Sequence, residues 1–351
     1  MPRAAESARR YLALVRAVAR ARRRPFDPFK LTWIVTEQCS LHCRTCRLWV
    51  GTPAAGPDLD TVERVLVANP HLTWLNLSGG DLVERHDAPQ LFELVARHGR
   101  DLALVDFPTA GQDTEATLAA LQPLLDSAIP RLFVTVSLDG PDAVHDRLRG
   151  QAGAAARARR TLHALQRLQR PGLRVVAGLT LSRHNTPDDP DVRLESLLPD
   201  GVPLGDLHVN LAHVSDHYYR NSDDVLPPPR GALAVVRQVQ QQPRRRLDPL
   251  AAMERRYWTV ARRVLRDGDS GLDCGALRAV VFLAADGRVY PCSIFDEPLG
   301  QLADVGFALR RIPELPGADR VLGLVEDRAC PRCWSPCEAF PTLLLNLGRT
   351  R

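Results

Sequence analysis

The sequence lacks the features that mark membrane-spanning, secreted and nucleic-acid-binding proteins. No apolar run approaches the roughly 18 residues that a membrane-spanning helix needs. The N-terminus has neither the apolar core nor the small-residue cleavage site of a secretory signal. Aromatic residues make up only 5% of the 351 residues, and no segment matches a nucleic-acid-binding module. These absences predict a cytoplasmic protein that does not bind nucleic acid and whose cysteines bind metal rather than form disulfides.

Positive charge is concentrated near the start of the chain, although the net charge is only +5. Apolar residues recur there at helical spacing among many arginines. The pattern predicts a basic amphipathic helix within residues 1–30, built from Tyr11, Leu12, Leu14, Val15 and Val18 together with Arg9, Arg10, Arg16, Arg20, Arg22, Arg23 and Arg24. Two interpretations stay open. The helix packs on the main domain with a solvated arginine face, or residues 1–24 contact a membrane surface or an acidic partner.

Apolar runs rich in Val, Leu and Ile then alternate with amphipathic stretches. The predicted strands are 31–36, 73–78, 102–107, 132–138, 173–181 and 206–212, and the predicted helices are 59–68, 88–99, 114–125, 152–170 and 191–198. Nearly continuous apolar strands that alternate with helices predict an α/β fold of parallel units. Six units fill residues 31–215, too few for the eight of a full TIM barrel, so the predicted fold is a partial (β/α)6 TIM-like barrel.

The chain changes character after the predicted barrel. Residues 216–270 are rich in Pro, Gln and Asn and are predicted to be linker with helices near 230–241 and 249–267. Residues 271–351 contain five of the eight cysteines. A hairpin and short helices in that region bury little core of their own, so we expect a small domain organised by its cysteines.

Three cysteines follow the first predicted strand directly, at Cys39, Cys43 and Cys46. In parallel β/α barrels the loops after the strands carry the chemistry. Three thiolates on one loop can hold three irons of a 4Fe–4S cluster, which leaves one iron open for a substrate or cofactor. A zinc site would instead show a Cys-x2-Cys pair with a second pair downstream.

The Cys-x3-Cys-x2-Cys spacing resembles the signature of radical S-adenosylmethionine (radical SAM) enzymes. In that family SAM binds the open iron, and its reductive cleavage gives a 5′-deoxyadenosyl radical that takes a hydrogen atom from the substrate. The resemblance implies a SAM-binding 4Fe–4S cluster, SAM itself and an electron donor such as flavodoxin or ferredoxin.

Further segments resemble the SAM-binding motifs of the family and fall at predicted strand ends. Ser78-Gly-Gly-Asp81 resembles the Gly-Gly-Glu motif, with Asp for the commoner Glu, which implies that Gly79, Gly80 and Asp81 hold the SAM amino group. The segment after the fourth strand implies that Ser137 and Asp139 lie near the ribose and that Arg149 pairs with the SAM carboxylate or forms a surface salt bridge. Asn185 occupies a position where the family often has a SAM-contacting Asn, and 108–111 resembles a Thr-Asn-Gly turn.

The resemblance leaves the adenine contact and the substrate residues open. The residue before the third cysteine is often aromatic in the family but is Thr45 here, so Trp49 is a candidate substitute. Candidates for the substrate cavity lie on or just after the late strands: Asp106, His208, Asn210, His213, Asp216, His217, Tyr218 and Tyr219. We expect most of these histidines to be structural.

The C-terminal cysteines form a second set. Cys274-x12-Gly287-x4-Cys292 encloses an Asp-Gly hairpin signal and resembles the opening of the SPASM and twitch domains, which add auxiliary iron–sulfur clusters to radical SAM barrels. The resemblance implies that a second, auxiliary 4Fe–4S cluster is bound by Cys274, Cys292, Cys330, Cys333 and Cys337, with one thiol to spare. A zinc knuckle is the alternative.

An auxiliary cluster either accepts an electron from the substrate radical, which predicts a net oxidation, or binds the substrate directly if one iron is open; we favour the first. About 30 residues precede the first strand, fewer than the fused peptide-recognition domain of many peptide maturases has, so we expect a small molecule, sugar or lipid. The alternatives are a peptide-modifying maturase of the SPASM type and a non-catalytic iron–sulfur or zinc protein.

Overall fold

One continuous sheet organises the part of the protein that the computed structural model describes, residues 2–241 and 249–348. Its strands lie in the order β6-β5-β4-β3-β2-β1-β7-β8-β9. The first six are parallel, β7 adds parallel to β1, and β8 and β9 follow antiparallel. The strands are β1 Lys30–Thr36, β2 Trp74–Gly79, β3 Leu104–Thr109, β4 Arg131–Ser137, β5 Leu173–Leu181, β6 Leu207–Leu211, β7 Val280–Leu283, β8 Arg288–Tyr290 and β9 Gly300–Gln301.

Helices connect the parallel strands from β1 to β5, and only short 3-10 turns lie between β5 and β6; the predicted partial barrel is confirmed. The helices are α1 Pro2–Ala21, α2 Leu59–Ala68, α3 Ala88–His98, α4 Thr114–Asp126, α5 Asp142–Arg149, α6 Ala154–Gln166, α7 Pro229–Gln241, α8 Pro249–Asp267, α9 Ala318–Glu326 and α10 Pro336–Leu345. Each predicted strand matches an observed one within a few residues.

One helix prediction was wrong, and another was too long. The predicted helix 152–170 is shorter, and a separate helix, α5, precedes it, because Gly150 and Gly153 both adopt positive φ and break the helical path. The predicted helix 191–198 is only a single 3-10 turn, Leu194–Leu197. Pro199 disfavours helical backbone at Leu198, so the turn does not extend past Leu197.

The strands of the barrel bury one face and leave the other partly accessible. Residues such as Val105, Phe107 and Val134 lie in the main hydrophobic core, while their alternate neighbours on β3, β4 and β6 remain partly exposed. Side chains alternate between the two faces of a strand, so the partly exposed set faces the inside of the barrel. We call this interior space the lumen; its walls include Asp106, Pro108, Phe133, Thr135, Ser137, His208 and Asn210.

Helix α1 packs across the edge where the parallel strands begin. Arg10 is buried and donates to the carbonyl oxygens of Gly99 and Leu102. Ala17 and Val18 pack with Ala279 and other apolar residues. One face of the predicted basic helix is therefore part of the fold. No helix in the described ranges is long and apolar enough to cross a membrane.

The cysteine-rich segment continues the sheet of the barrel. The predicted hairpin is confirmed, with Phe282 opposite Tyr290 across the Asp286-Gly287 turn. Its first strand pairs directly with β1, with Lys30 opposite Val280. The division into residues 1–30, 31–215, 216–270 and 271–351 stays a prediction, and residues 242–248 and 349–351 lie outside the described residues.

Candidate active site

The loop that carries Cys39, Cys43 and Cys46 follows the end of β1, as predicted. We call residues 37–49 the cysteine loop. Its main chain is bound on one side by the last turn of α5, where the His42 N–H donates to Arg149 O (3.1 Å) and the Arg44 N–H donates to Leu148 O (2.9 Å). Helix α5 was not predicted from the sequence, although Pro141 followed by Asp142 is a helix-start signal.

The other side of the cysteine loop is bound by the segment that follows β6. The Arg47 N–H donates to Tyr219 O at 2.8 Å, and the Asn221 amide donates to Thr45 O at 2.9 Å. Glu84 accepts hydrogen bonds from both the N–H and the hydroxyl of Ser40. The loop is therefore held in place by three separate parts of the barrel.

Trp49 braces the same loop. Its indole N–H lies 2.9 Å from Cys46 O and 3.2 Å from Cys43 O, and its ring centroid is 4.7 Å from that of His42. These contacts use the polar edge of the indole to close the loop on itself. An adenine contact by Trp49 stays a prediction.

Two of the three thiols, those of Cys39 and Cys46, lie where burial opposes ionisation. Burial raises the pKa of Cys39 and of Cys46 to about 12. Arg149 Nη1 lies 3.6 Å from Cys43 Sγ and supplies the nearest positive charge to that thiol. Three thiols on one loop with a cation beside them suit the ligand set of an iron–sulfur cluster.

Gly79 and Gly80 lie where β2 ends against the cysteine loop. The Gly80 N–H donates to Thr36 O, and a Cβ on Gly80 would overlap the Gln38 carbonyl. A Cβ on Gly79 would overlap Thr36 O, and its φ is +131°. Glycine is required at positions 79 and 80 because the backbone at the end of β2 meets the backbone after β1. The sequence had suggested a different reason, the close approach of a bound ligand. A contact of either glycine with SAM stays a prediction.

Asp81 is fully buried behind this turn. Its Oδ2 accepts hydrogen bonds from Thr109 Oγ1 (3.0 Å) and from the Ala110 N–H (2.8 Å), which tie β2 to the turn after β3. Its Oδ1 has no hydrogen-bond partner among the described residues. Burial raises the pKa of Asp81 to about 7. One unpaired carboxylate oxygen fits the ammonium group that the SAM motif implies, while the other oxygen has a structural role.

Three further predicted residues come together beside Cys43. Arg149 forms a salt bridge of 2.7 Å with Asp139, and both side chains are largely buried, so the pair is not the surface salt bridge considered above. Asp139 Oδ1 accepts from the Thr180 N–H. The Asn185 amide donates to Asp139 O and Thr180 O, so its nitrogen links the ends of β4 and β5. The hydroxyl of Ser137 lies on the lumen side of β4 and is only partly exposed.

His145 holds the main chain of Asp139 in place. Its Nδ1 accepts the Asp139 N–H at 3.0 Å, and the side chain is fully buried. An accepting Nδ1 cannot carry a proton, so this arrangement needs neutral imidazole. Burial, together with the nearby charge of Arg149, lowers the pKa of His145 to about 4.

We therefore expect acid to destabilise the fold through His145. In the unfolded chain the imidazole takes a proton near pH 6.5, whereas the folded chain resists it down to about 4. This contribution to the folding stability is fully present above pH 6.5 and is lost as the pH falls towards 4. It amounts to roughly 3 kcal/mol, at about 1.4 kcal/mol for each unit of pKa difference between the folded and unfolded chain. His145→Asn keeps an acceptor without this titration. Urea unfolding at pH 7 and pH 4.5 should show a smaller loss for the variant; equal losses would contradict the assignment.

Of the five C-terminal cysteines, four share one cavity and the fifth lies apart from them. Cys274, Cys292, Cys330 and Cys333 line one cavity of about 530 Å³. Cys337 does not line it, and its Sγ lies 3.9 Å from Asn76 Oδ1 on β2. The spacing alone grouped all five thiols, whereas the contacts separate Cys337 from the other four. In the described ranges no three Cys, His, Asp or Glu side chains are placed to hold a single metal ion.

The residues predicted to line the substrate cavity lie in different parts of the structure. His217 pairs with Asp296 and reaches the Cys292 carbonyl, so it joins the end of the barrel to the hairpin. The Tyr218 hydroxyl bonds Ser78 at 2.6 Å, and the Tyr218 and Tyr219 rings are 4.1 Å apart. Asp106, His208 and Asn210 face the lumen, Asp216 is exposed, and burial lowers the pKa of His213 to about 4.

Comparison with known proteins gives a partial match by sequence and a match of the fold. No family model matches the chain. A segment of 171 residues is 28% identical to the AdoMet-dependent heme synthase of Oleidesulfovibrio alaskensis, covering 46% of this chain and 40% of that protein. The chain therefore matches less than half the length of this relative.

Solved structures of anSMEcpe share the fold. The histidine-tagged form with bound AdoMet superposes with a TM-score of 0.56 at 15% identity, covering 88% of this chain and 85% of that one. The native form with bound AdoMet and Kp18Cys peptide gives 0.55 at 14% identity, covering 84% and 83%. The resemblance stated from the sequence is confirmed at the level of the fold.

Proposed function

We propose that the protein is a radical SAM enzyme with one auxiliary cluster. The observation that carries the proposal is that the buried Asp139–Arg149 pair and the Gly79–Asp81 turn both lie against the cysteine loop. When bound, the cluster on Cys39, Cys43 and Cys46 and its SAM supply a 5′-deoxyadenosyl radical to the substrate.

The residues of the chain have separate tasks in this proposal. Arg149 offsets the negative charge of the Cys43 thiolate, and Asp139 holds the guanidinium in place. Asp81 Oδ1 accepts from the ammonium group of SAM, which satisfies a buried oxygen that is otherwise unpaired. Ser137 offers a hydroxyl on the lumen side, suited to the ribose. Asn185 keeps Asp139 in position rather than binding the ligand through its amide nitrogen.

The auxiliary cluster is assigned to the four thiols that share a cavity. Cys274, Cys292, Cys330 and Cys333 would ligate all four irons of one 4Fe–4S cluster. A fully ligated cluster has no open iron for substrate, so its role is to accept an electron. We infer a net two-electron oxidation, in which a one-electron carrier such as flavodoxin or ferredoxin supplies the SAM cluster.

The substrate class has two candidates. The AdoMet-dependent heme synthase matched by sequence favours a small molecule, in line with our preference for a small molecule, sugar or lipid. The anSMEcpe structure with bound Kp18Cys peptide favours a peptide. We keep the small molecule as the first candidate, because the match to the heme synthase is a similarity of sequence, whereas the match to anSMEcpe is a similarity of fold alone.

Anaerobic reconstitution tests the proposal. The protein with dithionite and SAM is expected to release 5′-deoxyadenosine and to hold about eight irons per chain, four for each cluster. A chain that binds its clusters but does not cleave SAM would instead be a non-catalytic iron–sulfur protein, and bound zinc would indicate a zinc knuckle.

We also propose that the enzyme is cytoplasmic and touches anionic membranes through α1. Eight free thiols suit a reducing compartment. Leu12 and Val15 are 47% and 64% exposed on one face of α1. Arg16, Arg23 and Arg24 are exposed and form no ion pair with the described residues, whereas Arg9, Arg10 and Arg20 are paired within the protein. Apolar side chains beside free arginines suit an anionic lipid surface.

Binding to phosphatidylserine vesicles should weaken when this face is made polar. Leu12→Ser with Val15→Ser is expected to lower binding about thirtyfold, since two apolar side chains at about 1 kcal/mol each contribute about 2 kcal/mol. Val67→Ser is the matched control, because Val67 is 57% exposed on α2. Sedimentation with vesicles measures the effect, and failure of the wild-type chain to sediment would refute the proposal.

A further inference from the structure

One of the five C-terminal cysteines lies inside the barrel. Cys337 is in the first turn of α10, and its Sγ approaches Asn76 Oδ1. Its carbonyl oxygen accepts a hydrogen bond of 2.7 Å from Lys30 Nζ, at the start of β1. The side chain is partly exposed. Asn76 alternates with the core residues Leu75 and Leu77, so it points inward and the thiol opens towards the lumen.

Helix α10 forms one wall of the lumen. Phe340 lies one turn after Cys337 and packs against His208 of β6, with ring centroids 6.5 Å apart. Both residues are partly exposed. Cys337 and Phe340 therefore face the interior from the same side of the helix.

Two polar oxygens that face the interior have no partner. Thr32 Oγ1 is buried, Thr32 is fully inaccessible, and neither this oxygen nor Asn210 Oδ1 has a hydrogen-bond partner in the described part of the chain. Thr32 lies opposite Asn76 in the strand register, directly beside the contact of Asn76 with Cys337. An unpaired buried oxygen costs free energy until a donor satisfies it. The pair of oxygens thus calls for a ligand with N–H or O–H groups.

The charged groups around this site have no excess of positive charge. Lys30 and Asp106 are the charged groups that act on the Cys337 thiol besides its neighbour Glu338, whose carboxylate is bound by Ser293. Asp106 already accepts hydrogen bonds from Trp74 and Asn76. The other lumen groups are hydroxyl, amide, imidazole and aromatic. Such a wall favours an uncharged polar group over an anion.

We propose that Cys337 is not a ligand of the auxiliary cluster but a substrate-contacting residue of the lumen, whose wall selects an uncharged group bearing an N–H or O–H. This inference rests on the proposed function for the existence of a substrate. The thiol fixes which part of the substrate fits next to Asn76 and Thr32.

Iron counting on matched variants tests whether Cys337 is a ligand of the auxiliary cluster. The reconstituted Cys337→Ala protein is expected to keep about eight irons per chain, whereas Cys333→Ala should fall to about four. A loss of about four irons in Cys337→Ala would make Cys337 a ligand and overturn the assignment. This result does not depend on SAM cleavage, so it stands apart from failure of the proposed enzyme activity.

Two alkylating reagents of nearly equal size test, on the wild-type holoprotein, whether Cys337 faces a lumen that selects an uncharged group. Iodoacetamide is uncharged and carries an amide N–H, while iodoacetate is an anion. We expect iodoacetamide to label Cys337 alone under anaerobic conditions, and iodoacetate to label it at least tenfold more slowly after normalisation to free cysteine. No label on Cys337, or equal normalised rates for the two reagents, would overturn the proposed lumen contact. Peptide mapping by mass spectrometry gives the readout.

Discussion

Cys43→Ala is expected to abolish SAM cleavage and to remove about four of about eight irons per chain. Cys43 is the buried member of the three thiols and the one that Arg149 contacts. Without it the loop holds two thiols, too few for a cluster with one open iron. Formation of 5′-deoxyadenosine, measured by chromatography after dithionite reduction, should fall to the level of a protein-free control.

Cys330→Ala is the matched control, because it removes a thiol from the other cavity. It should also lose about four irons but still cleave SAM without substrate. Cleavage that survives in Cys43→Ala would show that the cysteine loop is not the site of the reaction. Loss of cleavage in both variants would mean that the two clusters are not independent.

Gly80→Ala is expected to displace the cysteine loop and to destabilise the fold. The added Cβ would meet the Gln38 carbonyl carbon and oxygen, which are backbone atoms that no side-chain rotation can move away. Overpacking of this kind costs roughly 1–3 kcal/mol, and backbone clashes lie at the upper end. Urea unfolding of the cluster-free protein measures the stability, and iron content after reconstitution reports the loop.

Gly205→Ala is the control for this substitution. No atom lies within 4 Å of its added Cβ, and Gly205 has no positive φ. We expect a change within about 0.5 kcal/mol and full iron content. A Gly80→Ala protein as stable and as iron-rich as Gly205→Ala would show that the close approach of β2 to the cysteine loop is not needed.

Local patterns in the sequence were enough to predict the barrel. The strand around Val134 and the loop from Cys39 to Cys46 were found because apolar runs and short spacings lie within a few residues. The hairpin at Asp286-Gly287 was found for the same reason. These features are decided by neighbours along the chain, so sequence patterns describe them well.

What the sequence did not predict depends on contacts between distant residues. Cys337 is four residues from Cys333, yet the first turn of α10 carries its thiol towards Asn76, which is 261 positions away. The pairing of β7 with β1 and the role of α5 under the cysteine loop have the same origin. Spacing gives the number of ligands in a set, but tertiary packing decides which of them share a cavity.

The contacts of α1 also constrain the order in which the protein can fold. Arg22, the residue directly after α1, donates to the carbonyl oxygens of Leu344 and Leu345 in the last turn of α10 and of Leu347 just beyond it, more than three hundred residues later. The apolar face of α1 is covered by Ala279 together with Leu344 and Leu345. During synthesis from the N-terminus, α1 emerges from the ribosome long before these partners exist. A nascent chain therefore carries an uncovered amphipathic helix until α10 is complete, and that interval is when a chaperone or a membrane has access to it.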